Sequence, residues 1–326
     1  MRDSLEPDRI RALLGRYGTH SLGYATLQPG MHYWHGENSF AAYRRPLGQP
    51  VFLGDPVCAP DKLARTLDGI TRAFPGALFM QVHRETARYL EASGYRITPV
   101  GVENEIDTAA FSLAGKPMAD LRHYRNRARR GEVAVAEVRD TPEERALLRP
   151  VSDAWLPKKS WLRRELEFLA RPFTGDPEPD VRIFTGCIGG RAVAFVILDP
   201  MYAAGRIMGY TVTILRHEPD APEGTVDFIV LKVIETLASE GIPLLSLGVS
   251  PFHRIDELAR TFGRGSLPAY LLYRALWRWG NPIYHFRGLS FHKSRYRARE
   301  IPVFTAVPGP IGLWPLFAAA RACRML

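Results

Sequence analysis

Hydrophobic positions change period repeatedly along this chain, and each change marks an element. From Tyr210 to Arg216 (YTVTILR) β-branched residues predominate, and from Ile242 to Val249 (IPLLSLGV) a short apolar run closes at Ser250-Pro251. Both patterns predict buried strands. Between them Val226, Ile229, Val230, Val233, Ile234 and Leu237 recur at three- and four-residue steps. That spacing predicts a helix, which Thr225 can cap and Gly241 can end. The unit is strand, loop, helix, strand. Its loop and helix start hold Arg216, His217, Glu218, Asp220, Glu223 and Asp227, so polar groups collect at a strand end, where α/β sheets bind ligands.

The same reading, carried back to the start, predicts an amphipathic helix over Asp8 to Tyr17, with Ile10, Leu13, Leu14 and Tyr17 on one side. Successive strands follow from Ala25 to Leu53: the first in YATLQPG, then MHYWHGENS, then FAAYRRPLGQPVFLGD with Pro-Leu-Gly-Gln-Pro as the turn. This is an antiparallel meander. A helix over Asp61 to Phe74, a strand over 77–83, a helix over Thr86 to Ser93 and a strand over Tyr95 to Val100 complete the first half. A second hairpin over Val181 to Leu198, turning at Gly189-Gly190, then opens a similar order of elements. The expected fold class is therefore α+β, with two similar domains in tandem. Their expected boundaries are 1–118 and 151–326, with a basic connecting helix and linker over 119–150.

That connecting helix, Asp120 to Gly131, has a thin apolar stripe and presents Arg122, Arg125 and Arg129 on another face. Guanidinium groups so placed can pair with phosphate oxygens, or stand solvated. A basic-aromatic stretch over 284–299 interleaves Tyr284, Phe286, Phe291 and Tyr296 with Arg287, Lys293, Arg295, Arg297 and Arg299, which suits RNA or lipid head groups.

Composition narrows the picture where charge enters. The net charge of +9 favours a polyanionic partner, nucleic acid or an anionic membrane surface. Cys58, Cys187 and Cys323 are far apart and form no ligand spacing, so free thiols, a reducing cytosol and no structural zinc are expected. The N-terminus lacks the apolar core of a signal peptide, and no apolar run reaches the roughly 18 residues of a membrane span. The tail over 311–320 (IGLWPLFAAA) is short enough to be a docking helix or to lie at a membrane interface. P-loop, dinucleotide-turn, His-x-x-x-His and nucleophile-elbow motifs are missing. His20, His32 and His35 are too scattered to be read as ligands.

With these residues in view, the chain resembles the C-terminal synthase domain of the bacterial phosphatidylglycerol lysyltransferases, also called multiple peptide resistance factors. The resemblance runs over nearly the whole chain. It is carried by HSLGYATL (20–27), FLGDPV (52–57), the stretch VENEIDTAAFSLAGKPMADLRHYRNRARRG (102–131), DAWLPKK (153–159), LRHEPDAPEGTVDFIV (215–230), LLSLGVSPF (244–252) and YHFRGLSFHKSRY (284–296). It implies tandem acetyltransferase-like (GNAT) domains, each a mixed, mostly antiparallel sheet flanked by helices. It also implies transfer of an aminoacyl group from aminoacyl-tRNA to an anionic phospholipid such as phosphatidylglycerol. No cofactor or metal is implied. Location at the cytoplasmic side is, with a peripheral membrane contact, and the chain reads as a free-standing synthase domain without the flippase module.

On positions matching the family pattern, the resemblance places Arg216, Asp227 and Glu103 in catalysis. Lys293, Arg295, Thr213 and His217 would bind substrate, and Arg122, Arg125 and Arg129 would bind tRNA or phosphate. Arg216 or Lys293 could hold a phosphate or the oxyanion; Asp227 could bind the amino group or serve as base. Two departures stand out. Thr213-Ile214-Leu215-Arg216 replaces Asp-Leu-Met-Arg, and Glu300-Ile301-Pro302-Val303-Phe304 replaces a Trp-x-Pro-Arg-Tyr ending. With one carboxylate gone, a soluble amine, hydroxylamine or hydroxyl acceptor is the alternative reading, and a non-catalytic RNA- or membrane-binding module is the third.

Overall fold

Strand residues alternate between two buried faces, so helices must cover both sides of the sheet. In this computed structural model, which describes residues 6–159, 165–282, 284–309 and 314–325, they do. The chain opens with α1 (Pro7–Tyr17) and the meander β1 (His32–His35), β2 (Phe40–Arg44) and β3 (Val51–Leu53). Helix α2 (Leu63–Ala73) crosses to β4 (Leu78–Val82), parallel to β3, and α3 (Arg84–Ala92) leads into the long β5 (Tyr95–Asp107). The second half begins with α4 (Ala119–Arg130), β6 (Ala134–Val138) and α5 (Pro142–Lys159). Strands β7 (Arg182–Ile188), β8 (Arg191–Ala203) and β9 (Arg206–His217) then run antiparallel to one another, with β6 antiparallel to β7. Helix α6 (Thr225–Ser239) crosses to β10 (Leu244–Pro251), parallel to β9. The chain ends with α7 (Ile255–Phe262), α8 (Leu267–Trp279), α9 (Phe286–Ser294), β11 (Arg299–Pro308) and α10 (Trp314–Ala322).

The fold class is α+β, and each half contributes one parallel strand-helix-strand unit to an otherwise antiparallel sheet. Phe52 and Phe79 pack on the side of α2 and α3, whereas Val51, Leu53, Leu78 and Met80 pack on the side of α10. In the second half Phe195 and Ile197 face α1 and α5, and Ala194, Val196 and Leu198 face α6. All six residues of the stripe expected on α6 are buried. So are Phe228 and Leu231, because α4 covers the side away from the sheet.

Three features differ from the sequence-based expectations. The two expected sheets are one, which among the described residues has eleven strands in the order β1-β2-β3-β4-β11-β5-β10-β9-β8-β7-β6, joined where β5 pairs with β10. The last strand, β11, lies between β4 and β5 of the first half, and β6, from the expected linker, is an edge strand of the second. Second, the strand expected in YATLQPG is a 3-10 turn, Tyr24–Leu27. Its polar groups are taken by side chains instead of a ladder: Gln28 Nε2 donates to Ala25 O and the Tyr33 hydroxyl to Thr26 O, each at 2.8 Å, and Thr26 Oγ1 donates to Gly23 O at 2.6 Å. Third, Gly224 rather than Thr225 occupies the N-cap of α6. Its φ is +89°, and a Cβ there would stand 2.3 Å from Tyr124 O on α4. Only glycine allows so close an approach. Of the tail expected as a docking helix, 311–313 lie outside the described residues; Trp314 onward is helical.

Candidate active site

Strands β9 and β10 pair only from Leu244↔Gly209 to Ser246↔Thr211. Beyond that point β10 bulges between Ser246 and Val249, with Gly248 at φ +74°, and the strands part. A bulge bends its strand and removes residues from the ladder. The gap opens a cavity of about 1010 Å³, into which the start of α6 and the end of α9 also project.

Thr213, Arg216, His217, Asp227, Lys293 and Arg295 all line it. Asp227 lies in the first turn of α6, almost fully buried. Its Oδ1 accepts from the Tyr296 hydroxyl at 2.9 Å, and its Oδ2 lies 3.2 Å from Arg295 Nη2. Burial raises the Asp227 carboxyl to about 6, and Arg295 and the Tyr296 hydrogen bond keep it from rising further. Arg295 also donates to His292 Nδ1 at 2.6 Å and stacks over Tyr124 at 4.3 Å, which fixes its plane. Lys293 Nζ donates to Val249 O at 2.8 Å, against the bulge.

Arg216 is also buried, but it is committed. One Nη bonds Ser152 Oγ, the other donates to Glu165 Oε2 at 2.6 Å, and the guanidinium stacks over Trp155 at 5.1 Å. Thr213 Oγ1 donates to Thr211 O at 3.4 Å, and Thr211 pairs across the sheet with Asp199, a buried carboxylate that also lines the cavity and is clamped by Arg171 at 2.7 Å on each oxygen. A carboxylate thus stands beside the position where the family pattern has an acid. His217 is exposed at the rim.

Glu103 lies elsewhere. It is buried in the middle of β5 and does not line the cavity. Its Oε1 accepts from Ser246 Oγ at 2.6 Å, and its Oε2 accepts from His83 Nε2 at 3.1 Å. His83 Nδ1 in turn donates to Asp55 Oδ2 at 2.5 Å. Burial alone would lower His83, but the charges and hydrogen bonds of Asp55 and Glu103 override it and raise it to about 11. Burial likewise works against Asp55, whose carboxyl His83 nonetheless lowers to about 2. Ser246 Oγ also accepts from Gly248 N at 3.0 Å, so Glu103 reaches the site through the bulge.

The three arginines expected on the connecting helix are also apart from the cavity lining. Arg122 donates twice, at 2.6 Å, to Leu113 O and Gly115 O; Arg125 meets Asn126, and Arg129 stacks over Phe228. Sequence reasoning missed Glu165, His292, Tyr296 and the Asp55–His83 pair. His292, Arg295 and Tyr296 stand at i, i+3 and i+4, a one-turn spacing that could have flagged them; Glu165, Asp55 and His83 left no local signal. Among the described residues, no group of three His, Cys, Asp or Glu side chains is placed to hold a metal ion.

Residues 11–307 match the family described as phosphatidylglycerol lysyltransferase, C-terminal. The chain is 25% identical over 304 residues to the phosphatidylglycerol lysyltransferase of Bacillus subtilis (strain 168), covering 90% of this chain and 34% of the relative. It is 27% identical over 307 residues to the lysylphosphatidylglycerol biosynthesis bifunctional protein LysX of Mycobacterium avium (strain 104), covering 90% of this chain and 25% of the relative. The chain thus spans about a third of the length of the first of these relatives and a quarter of the second. The solved structure of L-PGS from Bacillus licheniformis superposes with a TM-score of 0.81 at 21% identity, over 100% of this chain and 98% of that one, which shows a shared fold.

Proposed function

The chain belongs to the phosphatidylglycerol lysyltransferase C-terminal family, and from that premise we propose that it transfers an aminoacyl group from aminoacyl-tRNA to a hydroxyl of an anionic phospholipid such as phosphatidylglycerol. The observation that carries this reading is the parting of β9 and β10 over a cavity that holds a buried carboxylate, raised to about 6, beside Lys293 and Arg295. The ester linking an amino acid to tRNA is already activated, so the site must orient it, take a proton from the acceptor and stabilise an oxyanion.

In this reading Asp227 takes the acceptor's hydroxyl proton, and the acceptor oxygen bonds to the aminoacyl carbonyl carbon. The tetrahedral adduct then breaks its bond to the tRNA ribose oxygen, which receives the proton back from Asp227. Lys293 supplies positive charge to the lipid phosphate or the oxyanion. Arg295 and Tyr296 hold Asp227 in place, and Arg216 fixes the wall formed by Trp155 and Glu165.

Incubating the protein with tRNA charged with labelled amino acids and with phosphatidylglycerol vesicles tests the reading: label is expected in the lipid phase. Label that leaves the RNA only when soluble metabolites are added would replace the lipid by a soluble acceptor, the reading that Thr213 favours. Release no faster than spontaneous hydrolysis would reject both.

The pH dependence follows from the sign of the Asp227 shift. A general base must be ionised, and the folded-state value is raised, so activity is lost as pH falls through about 6. Below that point each further unit should lower the single-turnover rate about tenfold. A rate unchanged well below that value would exclude Asp227 as the base.

A further inference from the structure

The positive charge of this chain is not spread along it. Residues 258–326 carry eleven Lys and Arg against a single carboxylate, Glu300, whereas the residues before them are close to balance. The same region leaves apolar surface uncovered. Of the eight large hydrophobic side chains exposed among the described residues, six lie on α8, α9 and α10: Leu267, Leu271, Trp279, Phe291, Trp314 and Phe317.

These helices pack around one cluster. Leu272 and Leu276 of α8, Phe286 of α9 and Leu316 of α10 bury their side chains in it, so the outward sides of all three helices surround a common core. On α8 the outward stripe runs Leu267, Leu271, Arg274, Arg278, and on α10 it runs Trp314, Phe317, Arg321. Trp314 and Phe317 stack at 5.9 Å. Arg278, Arg287 and Arg321 meet no carboxylate among the described residues, while Arg274 pairs with Asp256 at 3.0 Å. Phe291 and Phe317 are exposed and also line the cavity, so these helices connect the cavity with the surface.

We propose that the face formed by α8, α9 and α10 docks on an anionic bilayer, with its aromatic and leucine side chains at the headgroup level and its arginines on the lipid phosphates. Charge alone would suit RNA equally. The exposed tryptophans and leucines decide for the membrane, because amphipathic aromatic rings and an apolar stripe flanked by arginine are what an interface takes up, whereas a phosphate backbone gains nothing from leucine. The proposal deepens the functional reading above and rests on it only for the identity of the transferred group.

The test is flotation of the full chain with vesicles of phosphatidylcholine alone or mixed with phosphatidylglycerol. The protein is expected to float with the mixed vesicles only, and less so as salt is raised. Combining Leu271→Ser, Trp279→Ser and Trp314→Ser, three exposed side chains outside the cavity lining, is expected to lower vesicle affinity about tenfold or more. Leu147→Ser, at an exposed side chain of α5, should leave it unchanged. Far-ultraviolet circular dichroism confirms that each variant is folded. The proposal is overturned if the parent ignores phosphatidylglycerol vesicles, or if the triple variant floats as the parent does. Retained flotation with loss of a tRNA gel shift would assign the face to RNA and overturn it equally. Transfer to a water-soluble, short-chain phosphatidylglycerol scores the functional reading separately. Activity there without flotation removes only the docking face, and flotation without any transfer upholds the docking face while removing the function.

Discussion

Asp227→Asn is expected to lower the single-turnover rate of aminoacyl transfer by about 10²- to 10⁴-fold, the range for loss of a general base, with little loss of stability. The amide has the carboxylate's shape and can still accept from Tyr296, whose hydroxyl lies 2.9 Å away. It cannot take a proton. Stability should hold for a separate reason: burial already disfavours the charged carboxylate, which is why its value is raised. The fold therefore pays for that charge at neutral pH, and a neutral amide removes the cost. Arg295 keeps its contacts to His292 and Tyr124 when the charge on Asp227 is gone. Urea denaturation alongside the rate measurement separates the two effects. An Asn variant that transfers as fast as the parent would remove Asp227 from the chemistry, and a variant that unfolds early would show the carboxylate to be mainly structural.

Arg216 and Asp227 were legible together because they flank elements whose periodicity is strong, and the family resemblance added Lys293 and Arg295. The stripe on α6 places Asp227 in its first turn, and the β-branched run of β9 places Arg216 at its end. The basic-aromatic stretch marks the segment that carries Lys293 and Arg295. What joins them was not legible. A period of two assigns each strand residue to a face but says nothing about which strand lies alongside, so the insertion of β11 between β4 and β5 left no local trace. Gly248 could be seen as a glycine within a strand, yet only its neighbours reveal the bulge that parts β9 from β10. Arg122 shows what a helical stripe leaves out, since a face of arginines suggests a phosphate site and only the structure reveals that the guanidinium ties down Leu113 and Gly115. Glu103 is similar. The resemblance placed it in catalysis, whereas its partners, His83 at the N-cap of α3 and Ser246 on β10, are distant in sequence.

Those partners make His83→Ala the substitution with the largest expected effect on stability, about 3–5 kcal/mol, as for removal of one member of a buried ion pair. His83 stands between the half-buried Asp55 and the buried Glu103, and its removal leaves like charges facing each other without a cation. The sign of each shift sets the pH window. His83 is raised from an ordinary 6.5 to about 11, so its contribution is fully present below 6.5 and is lost as pH rises toward 11. Asp55 is lowered from 3.8 to about 2, so its contribution is present above 3.8 and is lost as pH falls toward 2. The destabilisation should therefore be greatest between those two ordinary values and shrink on either side. Urea denaturation midpoints of parent and variant across that range measure it, and a difference below about 1 kcal/mol throughout, the size of an exposed pair, would show that the network is not coupled as drawn. The same network reaches the cavity, because Glu103 holds Ser246 and Ser246 holds the amide of Gly248. The bulge in turn presents Val249 O to Lys293. In conditions where His83→Ala remains folded, the loosened bulge should also weaken transfer, through the position of Lys293 rather than through any contact of His83 with substrate.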